Sequence, residues 1–319
     1  MRLGFIGLGA IGSPIATRLA EHHEVAVWNR TASRALTLAR TSGVTAVGTP
    51  AAVAKGAAIV FTCLPNSPEL EEVLDGPEGL AAGLESGALL VDLTSGIPDR
   101  SRVIAERLAG QGVDFLDAPV SGGTAGAEAG ILTVMVGGSA QGFARAEPVL
   151  QAFGRRIVHV GPVGAGHALK AVHNALIAVH LAALGEGLTA LARAGVAPAT
   201  ALAVINAANG RSFVSEQLFP ERVLTGRWPR TFRLALLDKD VGIAKGLTEA
   251  LELEAPVIGL VSDLLHQGRE TLGEEVDHGP AQDRSGDRHR RRLGRMQLDR
   301  APFSEAPTAQ LGVDEEGGL

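Results

Sequence analysis

The chain has 319 residues, more than one compact hydrophobic core usually accommodates, so we expect one larger and one smaller domain. A hydrophobic content of 45%, a charged content of 20% and a net charge of −6 argue against nucleic acid or an anionic membrane as the main partner. Cys63 is the single cysteine, which excludes an internal disulfide framework. No uninterrupted apolar run approaches ~18 residues, so we expect a cytoplasmic protein without a membrane span or signal peptide.

The first dozen residues form a strand, a glycine turn and a helix start. The apolar run Leu3-Gly4-Phe5-Ile6 leads into a G-x-G-x-x-G sequence, and a helix and a second strand, Glu24–Trp28, follow. In this pattern the first glycine permits the turn, the second lets the backbone approach a pyrophosphate, and the third lets the helix pack on the strand. The alternative is a plain glycine turn. We predict a dinucleotide cradle formed by Gly7, Leu8, Gly9, Ala10, Ile11 and Gly12.

The end of the second strand bears on which dinucleotide is bound. Asn29, Arg30 and Thr31 stand where an NAD-selective site would place a carboxylate for the ribose 2′-hydroxyl. A guanidinium and small donors suit a 2′-phosphate instead. We therefore expect NADP, with NAD as the alternative if Arg30 is only a solvated surface charge.

Strand-like and helix-like stretches alternate up to about Gly161, which predicts an α/β fold with a Rossmann-type, doubly wound parallel sheet. The predicted strands are Leu3–Gly7, Glu24–Trp28, Ala58–Cys63, Ala88–Leu93, Asp114–Asp117, Ile131–Val136 and Ile157–Val160, and clear helices are Thr31–Thr41 and Pro98–Ala109. Ligands bind beyond the carboxyl ends of such strands. We therefore expect Cys63, Leu64, Pro65 and Thr94 to border the cofactor, unless they serve only as ordinary turn and cap residues.

Beyond Gly164 the pattern predicts an all-α second domain. The predicted helices are Ala165–Ala194, Pro198–Ala208, Ala235–Glu249 and Pro256–Gly268. We expect an NADP-binding domain at residues 1–161, a helical substrate and oligomerisation domain at 162–278, and a disordered tail at 279–319. A nucleic-acid-binding tail is the alternative to disorder, because the tail contains a basic cluster.

Two further segments carry chemistry. One segment follows a strand end and consists of Ser121, Gly122 and Gly123, whose exposed backbone N–H groups would bind a carboxylate. The alternative interpretation of this segment is a flexible loop. Lys170 and Asn174 lie four residues apart and share a helix face, where an amine can shuttle a proton to an oxygen that the amide orients.

Basic side chains near these segments need separate interpretation. The chain has only four lysines, so we expect Lys239 to have a specific role, which is to contact the cofactor. A solvated ion pair with a neighbouring aspartate is an equally good interpretation. We expect His167, His173 and His180 to be structural or surface residues, with His173 pointing away from the Lys170 and Asn174 face. Their spacing does not fit metal ligands, and we predict no metal site.

Together these segments resemble the β-hydroxyacid dehydrogenase family over about residues 1–277. The resemblance implies that Lys170 is the catalytic acid–base group, that Asn174 holds the substrate, and that Ser121, Gly122 and Gly123 bind the substrate carboxylate. It also implies that Thr94 and Lys239 contact the cofactor. Members of the family tend to be homo-oligomers, so a dimer or tetramer is expected.

The resemblance favours hydride transfer between NADP(H) and a small β-hydroxy acid or semialdehyde, as in 3-hydroxyisobutyrate dehydrogenases. One alternative is a reductase of tartronate semialdehyde, glyoxylate or succinic semialdehyde. Another is a non-catalytic NADP-binding regulator or scaffold, which would have no need of Lys170 and Asn174.

Overall fold

A computed structural model of the chain describes residues 1–225 and 233–272. Among these, residues 1–179 and 233–269 form one compact unit, and residues 180–225 and 270–272 form a second. The predicted tail, 279–319, lies outside the described residues, as do residues 226–232 and 273–278.

A nine-stranded sheet forms the centre of the first unit. Its strands are β1 (Arg2–Ile6), β2 (Glu24–Trp28), β3 (Thr45–Ala46), β4 (Ile59–Thr62), β5 (Leu89–Asp92), β6 (Asp114–Asp117), β7 (Val120–Ser121), β8 (Leu132–Gly137) and β9 (Gly154–Gly161). The order β3-β2-β1-β4-β5-β6 is parallel throughout, and the chain reverses its direction of travel across the sheet between β1 and β4. Such a switch point is where ligands bind in open α/β sheets.

The far edge of the sheet departs from the parallel pattern. β8 pairs antiparallel with β6 and with the short β7, and β9 pairs parallel with β8. An antiparallel edge on an otherwise parallel sheet is common in doubly wound folds. The mostly parallel sheet is therefore confirmed. The two-residue strands β3 and β7 were not predicted, because they are too short for a periodic pattern.

Helices cover both faces of this sheet, and a helical half follows it. The helices are α1 (Gly12–Ala20), α2 (Ala32–Thr41), α3 (Pro50–Ala54), α4 (Ser67–Leu74), α5 (Leu80–Gly83), α6 (Pro98–Ala109), α7 (Gly123–Ala129), α8 (Ala140–Leu150), α9 (Ala165–Arg193), α10 (Pro198–Ala207), a π-helix (Val214–Leu224), α11 (Leu234–Ala250) and α12 (Pro256–Leu272). No strand occurs after Gly161 in the described residues, in agreement with the predicted all-α half.

Two hydrophobic cores lie on opposite faces of the sheet, because successive side chains of a strand point to opposite sides. On β1, Phe5 belongs to one core and Ile6 to the other, and both are fully buried. Phe5 stacks on Phe61 of β4, with ring centroids 6.1 Å apart. This double-sided burial explains why the first strands are near-continuous apolar runs.

Helix α9 is long and apolar enough to cross a membrane by length and composition, with a mean hydropathy of 1.7 in its most apolar 18-residue window, of which 17% is buried. The sequence predicted no such helix because that prediction considered only uninterrupted runs of apolar residues and not the mean hydropathy of a window. Alanines and leucines keep the mean hydropathy high although polar residues such as His180 and Glu186 interrupt the run. Apolar helices of soluble proteins meet the same criteria.

Candidate active site

The glycine turn between β1 and α1 has the geometry of a phosphate cradle. Gly7 has φ +98°, and a Cβ atom there would lie 2.2 Å from the Cys63 carbonyl oxygen. A Cβ atom at Gly12 would lie 2.0 Å from the Gly7 carbonyl oxygen, so glycine alone lets α1 seat on the turn. A Cβ atom at Gly9 would have no atom within 4 Å. The turn is thus tightly packed against the protein at Gly7 and Gly12 and leaves open space at Gly9.

A dinucleotide fits this opening. The first turn of α1 has no side-chain cap and no acidic residue. The Ser13 N–H donates to the Gly9 carbonyl oxygen at 3.0 Å and Pro14 has no N–H, so the N–H groups that remain for an anion are those of Ala10, Ile11 and Gly12, just before it. Ala10 is exposed and Ile11 half-buried at this turn, whereas Leu8 is buried. The Leu8 N–H donates to Asn29 Oδ1 at 2.9 Å, so Asn29 holds the shape of the turn and the Leu8 N–H is already paired.

Arg30 and Thr31 are exposed beside the turn, at the start of α2. The Thr31 hydroxyl does not cap α2, although Thr31 occupies the cap position. Asn29 Nδ2 donates to the Thr31 carbonyl oxygen at 3.1 Å, which ties this corner to the glycine turn. A guanidinium and an uncommitted hydroxyl therefore lie where a ribose 2′-phosphate would need donors.

The carboxyl ends of β4 and β5 are joined by a hydrogen bond. The Leu64 N–H donates to Thr94 Oγ1 at 3.1 Å, and the Thr94 N–H donates to Asp92 Oδ1 at 3.2 Å. Pro65 is exposed at the same edge. Burial, with a smaller contribution from the Asp92 charge, raises the pKa of the Cys63 thiol to about 12, so Cys63 stays protonated and is not a nucleophile.

Lys170 is 8% exposed on α9, one turn before the buried Asn174. Desolvation lowers the pKa of the Lys170 amine from 10.5 to about 8; Asp240 opposes this fall and Lys239 adds to it. An amine with this pKa holds and releases a proton near neutral pH. The buried side chain thus has the property required of an acid–base group.

Asp240 on α11 also belongs to this cluster, although it was not among the predicted site residues. Asn174 Nδ2 donates to Asp240 Oδ2 at 2.5 Å, and the Asp240 carboxylate is nearly fully buried. Asp240 Oδ1 lies 2.9 Å from the Lys239 amine, an ion pair without hydrogen-bond geometry. Because Asn174 and Asp240 are 66 residues apart, no local spacing in the sequence indicates the contact between them.

Lys239 connects the cluster to the sheet. Its amine donates to the Ser95 carbonyl oxygen at 2.5 Å, and its side chain is 21% exposed. A continuous set of contacts therefore runs from the glycine turn through Cys63 and Leu64 to Thr94 and Ser95, and on through Lys239 and Asp240 to Asn174. Asn174, Lys239 and Asp240 thus lie at the same edge of the sheet as the cradle.

The expectation that His173 points away from the site is wrong. His173 Nε2 lies 3.1 Å from Ser121 Oγ, and the half-buried imidazole has its pKa lowered by desolvation and then by the Lys170 charge. Residues three apart on a helix share a face as well as residues four apart, so the spacing of His173 from Lys170 is the signal that was overlooked. His180 is exposed and His167 is buried.

Gly122 and Gly123 follow Ser121 with φ +133° and +64° and are exposed. They begin α7, where first-turn backbone N–H groups have no intrahelical acceptor. No group of three or more His, Cys, Asp or Glu side chains suitable for a metal occurs in residues 1–225 and 233–272.

Comparisons with known families agree with this geometry. Residues 2–161 match the family described as "NAD binding domain of 6-phosphogluconate dehydrogenase". Residues 164–281 match the family described as "NAD-binding of NADP-dependent 3-hydroxyisobutyrate dehydrogenase". The chain belongs to the β-hydroxyacid dehydrogenase family. This dehydrogenase is therefore an NAD(P)-dependent oxidoreductase that acts on hydroxy acids.

Individual relatives extend over most of the chain. The 2-(hydroxymethyl)glutarate dehydrogenase of Eubacterium barkeri is 36% identical over 281 residues, covering 86% of this chain and 92% of the relative. The structure of Mycobacterium tuberculosis 3-hydroxyisobutyrate dehydrogenase with L-serine has a TM-score of 0.76 and 27% identity, covering 84% of this chain and 93% of the other. Psf3, solved with NADP+ and 2-OPP, has a TM-score of 0.75 and 28% identity, covering 85% and 95%.

Proposed function

We propose that this dehydrogenase interconverts a small β-hydroxy acid and its semialdehyde, with Lys170 as the proton donor and acceptor. The observation that carries the proposal is the buried Lys170 amine with a pKa of about 8, one helical turn from Asn174. A buried lysine with no proton-transfer role would be an unfavourable choice in a chain that uses arginine for nearly all its positive charge. Bound nicotinamide supplies or accepts the hydride.

The proton at the reacting oxygen is the task of Lys170. In the oxidative direction the neutral amine accepts the hydroxyl proton, and in the reductive direction the ammonium donates to the aldehyde oxygen. Asn174 directs one N–H to Asp240, which leaves its carbonyl oxygen and second N–H for the substrate. Lys239 and Asp240 hold α11 against α9 and the Ser95 loop, which keeps the cluster in place.

The substrate carboxylate is assigned to Ser121, Gly122 and Gly123. The Ser121 hydroxyl and the backbone N–H groups at the start of α7 would bind one carboxylate oxygen each, with His173 beside Ser121. Such anchoring would direct the β-carbon of the substrate, which carries the reacting hydroxyl group, toward Lys170. L-serine, named in one solved relative, is itself a β-hydroxy acid.

Lys170→Ala tests the acid–base role. We expect kcat to fall roughly 10²–10⁴-fold, the usual loss when a general acid–base group is removed, with cofactor affinity nearly unchanged. Steady-state kinetics over 3-hydroxyisobutyrate, 2-(hydroxymethyl)glutarate, tartronate semialdehyde, succinic semialdehyde and glyoxylate would define the substrate. Near-normal turnover in the variant would contradict the assignment, and no turnover of any compound by the wild-type protein would favour a binding protein.

The cofactor preference is proposed to be NADP over NAD, through Arg30 and Thr31 with Asn29 shaping the corner. Thr94, Cys63, Leu64 and Pro65 are proposed to line the rest of the cofactor site. Trp28 ends β2 beside this corner, so its fluorescence is a suitable probe of binding. We expect NADPH to bind more tightly than NADH, and Arg30→Ala to weaken NADPH binding while leaving NADH binding unchanged. Equal loss for both cofactors would contradict this role.

The proposed organisation follows the same division. Residues 1–161 would hold the cofactor, and residues 162–278 would complete the substrate site and join subunits in a cytoplasmic homo-oligomer. The apolar surface of α9, with Leu169 and Leu176 exposed by 43% and 53%, supports such an interface.

A further inference from the structure

His167 lies in the first turn of α9, three residues before Lys170, and is 1% exposed. Its Nδ1 atom is 2.7 Å from the Ser101 hydroxyl of α6. Its ring packs against the loop after β5 so closely that a Cβ atom at Gly96 would lie 2.7 Å from His167 Cε1. The imidazole thus touches the loop that carries Thr94 and Ser95 and belongs to the helix that carries Lys170.

The start of α9 is seated on the sheet by Asp117, at the end of β6. Asp117 Oδ1 accepts the Gly164 N–H at 2.7 Å, and Asp117 Oδ2 accepts the His167 N–H at 2.8 Å. A carboxylate at a helix N-terminus is favourable because the free N–H groups point at it. A Cβ atom at Gly166 would lie 2.4 Å from the Met135 carbonyl oxygen, so this end of the helix is in direct backbone contact with β8.

Asp92 faces the same imidazole from the end of β5. Its Oδ1 atom accepts from the Thr62 hydroxyl at 2.7 Å and from the Thr94 N–H at 3.2 Å. Its Oδ2 atom and His167 Nε2 lie 3.7 Å apart, and neither has a hydrogen-bond partner among the described residues. One carboxylate therefore holds the Thr94 backbone with one oxygen and faces the imidazole with the other.

The protons in this group restrict its arrangement. The Ser101 hydroxyl donates to the Ile97 carbonyl oxygen at 3.2 Å, so its single proton is used and the oxygen accepts from His167 Nδ1–H. Loss of either side chain removes the polar group that faces the other at 3.7 Å in this buried site.

We propose that His167 and Asp92 are positioning residues that fix Lys170 against the loop bearing Thr94 and Ser95. The hydrogen bonds that Asp117 accepts and the backbone contact at Gly166 fix the position of the first turn of α9 on the sheet. The contacts of His167 with Ser101, Gly96 and Asp92 set the rotation of its first turn, and Lys170 follows one turn later. This inference rests on the proposed acid–base role of Lys170.

The test compares His167→Leu, His167→Gln and His167→Asn in the full-length protein. Gln places an amide N–H near the position of Nε2 and restores the contact with Asp92, whereas Asn reaches only the Ser101 side. We expect His167→Leu to lower kcat roughly 10- to 100-fold, since a misplacement of about 1 Å has effects of this size. We expect KM to change less than about threefold, and His167→Gln to recover most of the lost kcat.

A second measurement does not depend on turnover. Competitive acetylation followed by mass spectrometry gives the pKa of the Lys170 amine in the cofactor-free protein. We expect this pKa to rise from about 8 toward 10.5 in His167→Leu, because a displaced amine is better solvated. Ser139→Ala, which removes the cap of α8 without touching this group, is the stability control and should leave the labelling profile unchanged.

The outcomes separate the two proposals. Turnover within threefold of wild type in His167→Leu, with an unchanged Lys170 labelling profile, overturns the positioning role. An active Lys170→Ala variant overturns the proposed function instead. If His167→Leu does not fold, Ser101→Ala replaces it, and the same direction of change in kcat and in the Lys170 pKa is expected.

Discussion

Lys170 keeps a positive charge in surroundings that oppose it. Burial is the largest influence on its pKa, and the Asp240 carboxylate only partly compensates. The fall from 10.5 to about 8 corresponds to roughly 3 kcal/mol of lost interaction for the charged form. This destabilisation is the expected consequence of the acid–base role proposed for Lys170, which requires a desolvated amine.

Lys170→Met is therefore expected to raise the free energy of unfolding at pH 7 by up to roughly 3 kcal/mol. Between pH 8 and 10.5 the Lys170 amine is protonated to a greater extent in the unfolded chain than in the folded one, so the contribution of Lys170 to wild-type stability rises with pH in this window. The difference between the two proteins should therefore shrink as pH rises. Urea unfolding at pH 7, 8, 9 and 10 measures it.

Lys55→Met is the matched control, because Lys55 is exposed. Its effect on unfolding should be close to zero at every pH. A Lys170→Met difference that does not vary with pH would show that the amine is not desolvated in the folded protein.

Asp240→Asn removes the charge that raises the pKa of Lys170. We expect the midpoint of the pH dependence of kcat/KM, near pH 8 in the wild type, to move to lower pH. Asp263→Asn changes an exposed carboxylate paired with Lys245 and should leave the midpoint in place. Identical midpoints in the wild type and Asp240→Asn would indicate that another group controls the profile.

At the scale of elements, the glycines of the G-x-G-x-x-G sequence meet two different requirements, the packing of α1 on β1 and the close approach of a ligand. Gly12 lies against the Gly7 carbonyl oxygen, so it is needed for α1 to pack on β1. Gly9 faces open space, so it is needed only for the close approach of a ligand. The two glycines should therefore respond differently to the same substitution.

Gly12→Ala is expected to lower the melting temperature and to abolish cofactor binding. Gly9→Ala should fold with a melting temperature close to wild type and still bind NADPH at least about tenfold more weakly, since its methyl group meets the pyrophosphate. Thermal unfolding and NADPH titration of both variants test the distinction. A destabilised Gly9→Ala protein would refute it.

At the scale of the whole molecule, α9 exposes more apolar surface than residues 1–225 and 233–272 cover. Leu176 is 53% exposed on this helix, and 17% of the most apolar window is buried. Apolar surface of this extent marks interaction sites, and most soluble oligomers form from identical chains. A second copy of the chain is the proposed cover.

Light scattering on the purified protein is expected to give the mass of a dimer or tetramer. Leu176→Glu should reduce that mass, because a charge in an apolar interface is costly. Leu36→Glu is the control, as Leu36 is 54% exposed on α2 outside this surface. A monomeric wild type, or a protein recovered only with detergent, would contradict the oligomer.

Local patterns were sufficient for most of the framework. Every predicted strand is present, and β9 differs most, beginning at Gly154 rather than Ile157. The glycine turn, the Lys170 and Asn174 pair and the all-α second half all depend on neighbouring residues, whose spacing alone sets which side chains share a face. The same local rule, applied to residues three apart, would have placed His173 on the Lys170 face.

Contacts between distant segments required the folded chain. Asp240 meets Asn174 across 66 residues, and His167 meets Ser101 across the same separation, so no periodicity announces either contact. The pKa of Lys170 is likewise a property of burial and of charges on another helix. Spacing indicates candidate residues for the chemistry, whereas their protonation and mutual placement arise only when the sheet edge and the helices enclose them.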